Sequence, residues 1–142
     1  MKVEIKQTPE AVEPRAVIYC SEIDDRVLSA AELLQRGGDV VTAYDSESIV
    51  VIKRKDLFMI RAEEGRTRLC TEKAVYDSAK PLREFESLPG FMRISKFCII
   101  NLAEIKCFDP MFSGAMQVTL KNGMKDIISR KYMPEMKRYL GL

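Results

Sequence analysis

The chain has 142 residues, 46% apolar and 31% charged, the balance of one ordinary globular domain or one domain with an elaborated end. It contains no histidine, which excludes every histidine triad, histidine-led metal site and histidine general base. Residues 1–50 hold five Lys/Arg against ten Asp/Glu and residues 51–142 hold eighteen against eleven, so the net +2 hides an acidic head of −5 and a basic body of +7. A basic body either presents a solvated face or meets a polyanion such as nucleic acid.

Val3 and Ile5 alternate with Lys2, Glu4 and Lys6, which predicts a short edge strand. Residues 7–15 carry two prolines and read as a loop. Ala16–Cys20 is a short apolar run and is expected to be a buried strand. A helix follows, with Ser21 as N-cap and Glu22, Asp24 and Asp25 in the first turn, where the helix dipole favours negative charge. Ile23, Val27, Ala30, Ala31 and Leu34 share one face. Arg36 sits in the last turn, and Gly37-Gly38 supplies the left-handed stop.

After Gly38 the apolar period becomes two. Val40–Tyr44 and Ile49–Ile52 flank Asp45-Ser46-Glu47-Ser48, the chemistry of a hairpin turn. Lys53-Arg54-Lys55 reads as a basic turn. Leu57–Arg61 and Arg68–Thr71 are strands joined through Glu63-Glu64-Gly65-Arg66. Ala74–Ser78 is another strand. Leu82, Phe85 and Leu88 fall on one side of a two-turn helix closed by Pro89-Gly90. Phe91–Ile94 and Cys98–Ile100 are apolar strands around Ser95-Lys96. Met116, Val118 and Leu120 alternate with polar residues, and Asn122-Gly123 leads back through Lys125–Ile128. A last helix begins near Ser129 or Lys131 and runs to Leu140, with Pro134 in its first turn and Gly141 as its stop. The fold class is α+β, mainly antiparallel β. A strand-strand-helix extension over residues 1–45 precedes a β-rich body over 46–142.

Chemistry-bearing motifs fail in turn. There is no G-x-x-x-x-G-K-[ST], G-x-G-x-x-G or G-x-S-x-G, so no enzyme is expected. Asp24 and Asp25 are neighbours on a helix and do not face each other; the dipole accounts for them. Cys20, Cys70, Cys98 and Cys107 show no C-x-x-C spacing and read as reduced, mostly buried thiols, without metal or cofactor. No signal peptide and no apolar span of membrane length stand out, so a cytoplasmic protein is expected.

The informative stretch runs from FMRISKFCIINLAEIKCF through DPMFSGAMQVTLKNGMKDIISRKYMPEMKRYLGL. It holds two short basic loops, Ser95-Lys96 and Ser129-Arg130-Lys131. Both are solvated turns, or else fingers of a nucleic-acid reader. Arg suits a bidentate grip on guanine or phosphate, and Ser donates to phosphate oxygens. The order F-x-R-I-S-x-x-x-I-I-N-L, a strand, F-S-G, K-N-G, S-R-x-Y and a terminal helix resembles the LytTR-type DNA-binding domain. It looks most like free-standing bacterial LytTR regulators without a receiver domain. The resemblance covers roughly Ile49–Leu142. It implies a compact β domain that puts loops into successive major grooves of a repeat-containing promoter site.

Carried over by position, the resemblance implies DNA contacts from Ser95 and Lys96, from Ser129, Arg130 and Lys131, and from Arg66, Thr67 and Arg68 after the early hairpin. The Met111–Gly114 loop is placed near phosphates. Ser95-Lys96-Phe97 departs from the His-Arg-Ser or Ser-Asn-Ser frequent in the family. Lys is a point charge, so the departure bears on base preference. Glu63-Glu64 is awkward beside phosphates. Phe97 either packs inward, the expected outcome, or touches a thymine methyl. Ile99, Ile100, Leu102 and Ile105 are read as core. Asn101 is read as satisfying backbone groups, and Arg93 as pairing with a carboxylate, with DNA contact its alternative.

The expected function is a sequence-specific transcription regulator acting on double-stranded DNA, with no small-molecule substrate. The head is too short for a receiver, and is expected to pack on the body or form a homodimer contact. The rival reading is a protein-interaction module. Free-standing family members are often encoded beside a small membrane protein, and such a partner would be held through the acidic helix.

Overall fold

The computed structural model describes residues 1–10, 16–36 and 39–142, which form two compact units, Met1–Gly37 and Gly38–Leu142. In the first unit, helix α1 spans Asp25–Arg36. Its cap is Asp24, not Ser21: the Val27 amide donates to Asp24 Oδ1 at 3.0 Å and the Leu28 amide to the Asp24 carbonyl. That side-chain bond satisfies one of the donors every helix start leaves free. It also holds the Asp24 carboxyl below its ordinary value, helped by Arg26 nearby. The strands expected around Val3–Ile5 and over Ala16–Cys20 are absent, and Val17, Tyr19 and Cys20 are exposed. A five-residue apolar run becomes a strand only where a neighbouring strand takes its backbone donors, and among the described residues none pairs with these. The expected stop at Gly37-Gly38 lies outside the described residues, as do residues 11–15 of the expected loop.

The second unit is almost all antiparallel β, with ten strands: β1 (Val40–Asp45), β2 (Ser48–Lys53), β3 (Leu57–Glu63), β4 (Arg66–Thr71), β5 (Val75–Ser78), β6 (Phe91–Ser95), β7 (Cys98–Asn101), β8 (Ile105–Pro110), β9 (Met116–Leu120) and β10 (Lys125–Ile128). Seven form one sheet in the order β2-β1-β5-β4-β3-β7-β6, and three form a second, β10-β9-β8. β1 pairs with β2 along its whole length and with β5 at Tyr44. The boundary therefore falls before β1, earlier than the one expected at residue 45. The expected helix over 82–88 is only a 3-10 turn, Leu82–Phe85. Its buried Leu82 and Phe85 anchor it, and Pro89-Gly90 follows too soon for a second turn to close.

The middle of the large sheet, at β3 and β7, is buried on both faces, while β1 and β2 at its edge bury one face only. Alternation along β7 sends Cys98 and Ile100 to one side and Ile99 to the other. The first face packs with Val118, Leu120 and Ile128 of the small sheet and with Met133 and Met136 of helix α2 (Met133–Leu140). The second gathers Val41, Ala43, Ile52, Leu82, Phe85 and Phe91 around Ile60 and Leu69. β3 crosses between the two cores, which is why Leu57, Phe58, Met59 and Ile60 are all buried; such continuous runs mark strands covered on both sides. Full burial of each such side chain stabilises by roughly 1.5–3 kcal/mol. Leu102 and Ile105, read as core, are half-buried and pack against the first core. Asn101 is buried and does what was expected: Nδ2 donates to the Leu57 carbonyl at 2.9 Å, and Oδ1 accepts from the Ala103 amide at 3.1 Å. Pro134 falls in the first turn of α2, and Gly141, at φ 73°, ends it.

Candidate nucleic-acid interface

The strand register gathers several loops at one end of the second unit. β3 runs out to Glu63 and returns at Arg66 through Glu64-Gly65, with φ of 50° and 75°. This two-residue turn with both φ positive matches the twist of its strands. Arg61 is paired with Cys98, so the β6–β7 turn lies at the same end, where the Ala62 amide donates to the Phe97 carbonyl at 2.8 Å. The Ser129 amide donates to the Ile94 carbonyl at 2.9 Å. That bond brings the loop after β10 beside the β6–β7 turn. A Cβ placed on Gly114 would lie 3.5 Å from Arg130 Cδ, so the β8–β9 loop borders the same group. The two basic loops singled out in the sequence, some thirty residues apart, are thus neighbours.

The charges at this end divide into two sets. Arg61 faces Glu63 at 3.4 Å and Asp126 at 3.6 Å. Arg66 and Arg68 share Asp77, at 3.5 and 3.4 Å. Arg93 pairs with Glu86, as expected, and also donates from Nε to the Ser95 carbonyl at 3.0 Å. Among the described residues, no carboxylate lies within ion-pair distance of Lys96, Arg130 or Lys131. All three are exposed. Lys96 Nζ stands 5.6 Å from the Phe97 ring and Lys131 Nζ 5.5 Å from the Tyr132 ring. Such contacts steady an exposed ammonium by about 0.5–1 kcal/mol without neutralising it. Ser95 Oγ accepts from the Phe97 amide at 3.2 Å and tightens the turn.

The sequence profile of the LytTr DNA-binding domain matches residues 47–141. The chain belongs to the LytTR DNA-binding domain family. That family is a DNA-binding one and not an enzymatic one. The chain is 28% identical over 107 residues to the sensory transduction protein LytT of Enterococcus faecalis, covering 73% of this chain and 44% of that protein. It is 31% identical over 100 residues to the sensory transduction protein LytR of Staphylococcus haemolyticus, covering 68% and 39%. With the transcriptional regulatory protein LytR of Staphylococcus aureus it shares 29% over 99 residues, covering 68% and 40%. The chain spans roughly two fifths of the length of these relatives. In fold it matches the LytTr DNA-binding domain of a putative methyl-accepting/DNA response regulator from Bacillus cereus. The TM-score is 0.68 at 22% identity, covering 73% of this chain and 98% of that one.

Set against this LytTR fold, two residue expectations need correction. Thr67 is 5% exposed, and its hydroxyl donates to the Lys80 carbonyl at 2.7 Å. It lies on the inner face of β4 because side chains alternate from the exposed Arg66, so its side chain is a buried polar group of the fold and not an exposed one at the loop tip. Phe97 does not pack inward; it is 59% exposed. The tight turn leaves it at the tip, outside both cores. Of the remaining candidates, Ser95, Lys96, Ser129, Arg130 and Lys131 share the loop end, while Arg66 and Arg68 are tied to Asp77. The residue whose role sequence reasoning missed is Arg93: pairing with a carboxylate was legible, and its grip on the neighbouring turn was not. Two of the four cysteines, Cys70 and Cys98, are buried, and Cys20 and Cys107 are exposed, so burial of most of the thiols is not found. Among the described residues, no group of three or more acidic or cysteine side chains could hold a metal ion, and no helix is long and apolar enough to cross a membrane.

Proposed function

We propose that the second unit is the double-stranded-DNA-binding part of a transcription regulator, and that its end loops enter successive major grooves of a repeat-containing promoter site. One observation carries this reading. Lys96, Arg130 and Lys131, from loops distant in sequence, converge at one end without carboxylate partners among the described residues, while the other arginines there are occupied by Asp77, Asp126, Glu63 and Glu86. Free cations on adjacent loops supply phosphate neutralisation, and Lys96 and Arg130 are the two that reach base edges, Arg130 with a fork suited to one. Glu63 is engaged by Arg61, which tempers the repulsion expected from Glu63-Glu64.

Selection of bound duplexes from a random library, at low and moderate salt, tests the proposal. Enrichment of paired short repeats about one helical turn apart supports it. Salt-labile binding without an enriched sequence overturns sequence-specific regulation and leaves only a basic surface.

A second reading concerns the first unit. Tyr19, Ile23, Leu28 and Leu34 are all more than half exposed, so this unit offers apolar side chains on and before a helix whose own charges, Asp25 and Glu32 against Arg26 and Arg36, balance. We propose that it serves a protein contact, either a second copy or a membrane-protein partner. Residues 38–142 keep every strand; if that fragment matches the whole chain in oligomeric state and in operator binding, this role is refuted.

A further inference from the structure

We infer that Arg93 is a positioning residue for the β6–β7 turn, holding Ser95 and Lys96 in the shape that meets DNA. The inference rests on the DNA-binding reading above and deepens it. Three nitrogens of one guanidinium have three different partners. Nε donates to the Ser95 carbonyl at 3.0 Å, one terminal nitrogen donates to the Lys96 carbonyl at 2.5 Å, and the other holds the Glu86 carboxylate. In an extended strand successive carbonyls point to opposite sides. Here two consecutive carbonyls converge on one cation, which offsets the repulsion of their aligned dipoles.

Glu86 fixes the far side of the fork. It directly follows the 3-10 turn whose Leu82 and Phe85 are buried in the second core. The chain of contact therefore runs from that core through Glu86 and Arg93 to the backbone of the finger. The Arg93 side chain is only 20% exposed, so it sits behind the finger while Lys96 projects from it. Lysine cannot replace it: an ammonium is a point donor, whereas the planar guanidinium reaches separate acceptors from fixed directions. Preorganisation of this kind lowers the ordering cost of binding. It acts on sequence reading through Lys96 and leaves the number of phosphate contacts unchanged.

Amide hydrogen exchange at Phe97, whose amide donates to Ser95 Oγ, and at Cys98, which pairs with Ser95 across the turn, tests this directly in the DNA-free protein, comparing the wild type with Arg93→Lys and Glu86→Gln. Both variants are expected to exchange at these amides at least about tenfold faster, a difference of roughly 1.4 kcal/mol in opening, with Leu120 and Leu69 unchanged as reporters of the folded cores. Unchanged exchange at Phe97 and Cys98 overturns the inference. Glu86→Gln keeps the test decisive if Arg93→Lys fails to fold. The second arm uses the duplex that the wild type selects. Arg93→Lys is expected to narrow the preference over a mismatched duplex without altering the salt slope, and to cost nothing further when Lys96→Ala is already present. A full additive loss in the Lys96→Ala background overturns a role through Lys96. If the wild type selects no sequence, the DNA-binding reading fails, and the exchange comparison still decides what Arg93 does.

Discussion

Arg130→Ala separates base reading from charge. Arg130 opens the 3-10 turn Arg130–Tyr132, is exposed, and passes its aliphatic stem by Gly114. Its removal leaves the backbone of the turn intact, because the Ser129 amide still donates to the Ile94 carbonyl and the Tyr132 amide to the Ser129 carbonyl. Stability should therefore change by no more than about 0.5 kcal/mol. A bidentate grip on a base pair contributes roughly 1–3 kcal/mol of discrimination, so affinity for the selected duplex should fall by about 5- to 150-fold. The loss should be largest on the selected duplex and smaller on one with the contacted pair changed. Arg130→Lys should restore charge and salt slope but not discrimination. The assay is a titration of both duplexes over a range of salt. Wild-type binding by Arg130→Ala refutes the site assignment. An equal loss on all sequences, with the salt slope lowered by about one, makes Arg130 a phosphate contact and refutes base reading.

Three further outcomes follow from the packing. Asn101→Ala leaves the buried Leu57 carbonyl without its side-chain donor, while the exposed Ala103 turns its amide to water; at about 1–3 kcal/mol for the one buried group, urea unfolding should show a loss of roughly 1–3 kcal/mol, and a loss under about 0.5 kcal/mol contradicts the bonding described. Burial pushes the Cys98 thiol far above its ordinary range, with Asp126 adding to it, and burial raises Cys70 as well. A thiol-alkylating reagent at pH 8 should therefore modify Cys20 and Cys107 quickly and Cys70 and Cys98 only as the protein opens; fast labelling of three or four sites in folded protein would sink that assignment. Asp24 is held below the ordinary 3.8 by the Val27 amide. Its contribution to α1 is thus fully present above that value and is lost as pH falls through the lower folded value. A carboxyl titration followed by NMR should place the Asp24 midpoint below 3.8 and that of Asp24 in unfolded chain near it; equal midpoints refute the cap.

The sequence by itself determined most of the β body. Period-two alternation, the Glu64-Gly65 and Asn122-Gly123 turns, and the placement of Pro134 and Gly141 are local signals. Local backbone geometry settles them wherever the chain finds a partner strand. The ordered set of motifs from Phe91 to Tyr132 also carried the family, which the profile match over 47–141 then showed. What needed tertiary structure was which partners exist. Ala16–Cys20 has the composition of a strand and, among the described residues, no strand paired with it. LREFESL has the apolar spacing of a helix, but two buried anchors and the following Pro-Gly leave room for a 3-10 turn only. Side-chain fate at the loop end was equally non-local. Arg66, Arg68 and Arg130 are alike as letters, yet Asp77 on the neighbouring strand occupies the first two and leaves the third free. Thr67 turns inward because β4 pairs in one register, and Arg93 turns to its own finger because Glu86 holds it from a different segment. Turn and strand propensities act over a few residues, whereas charge pairing and burial depend on what the fold places alongside.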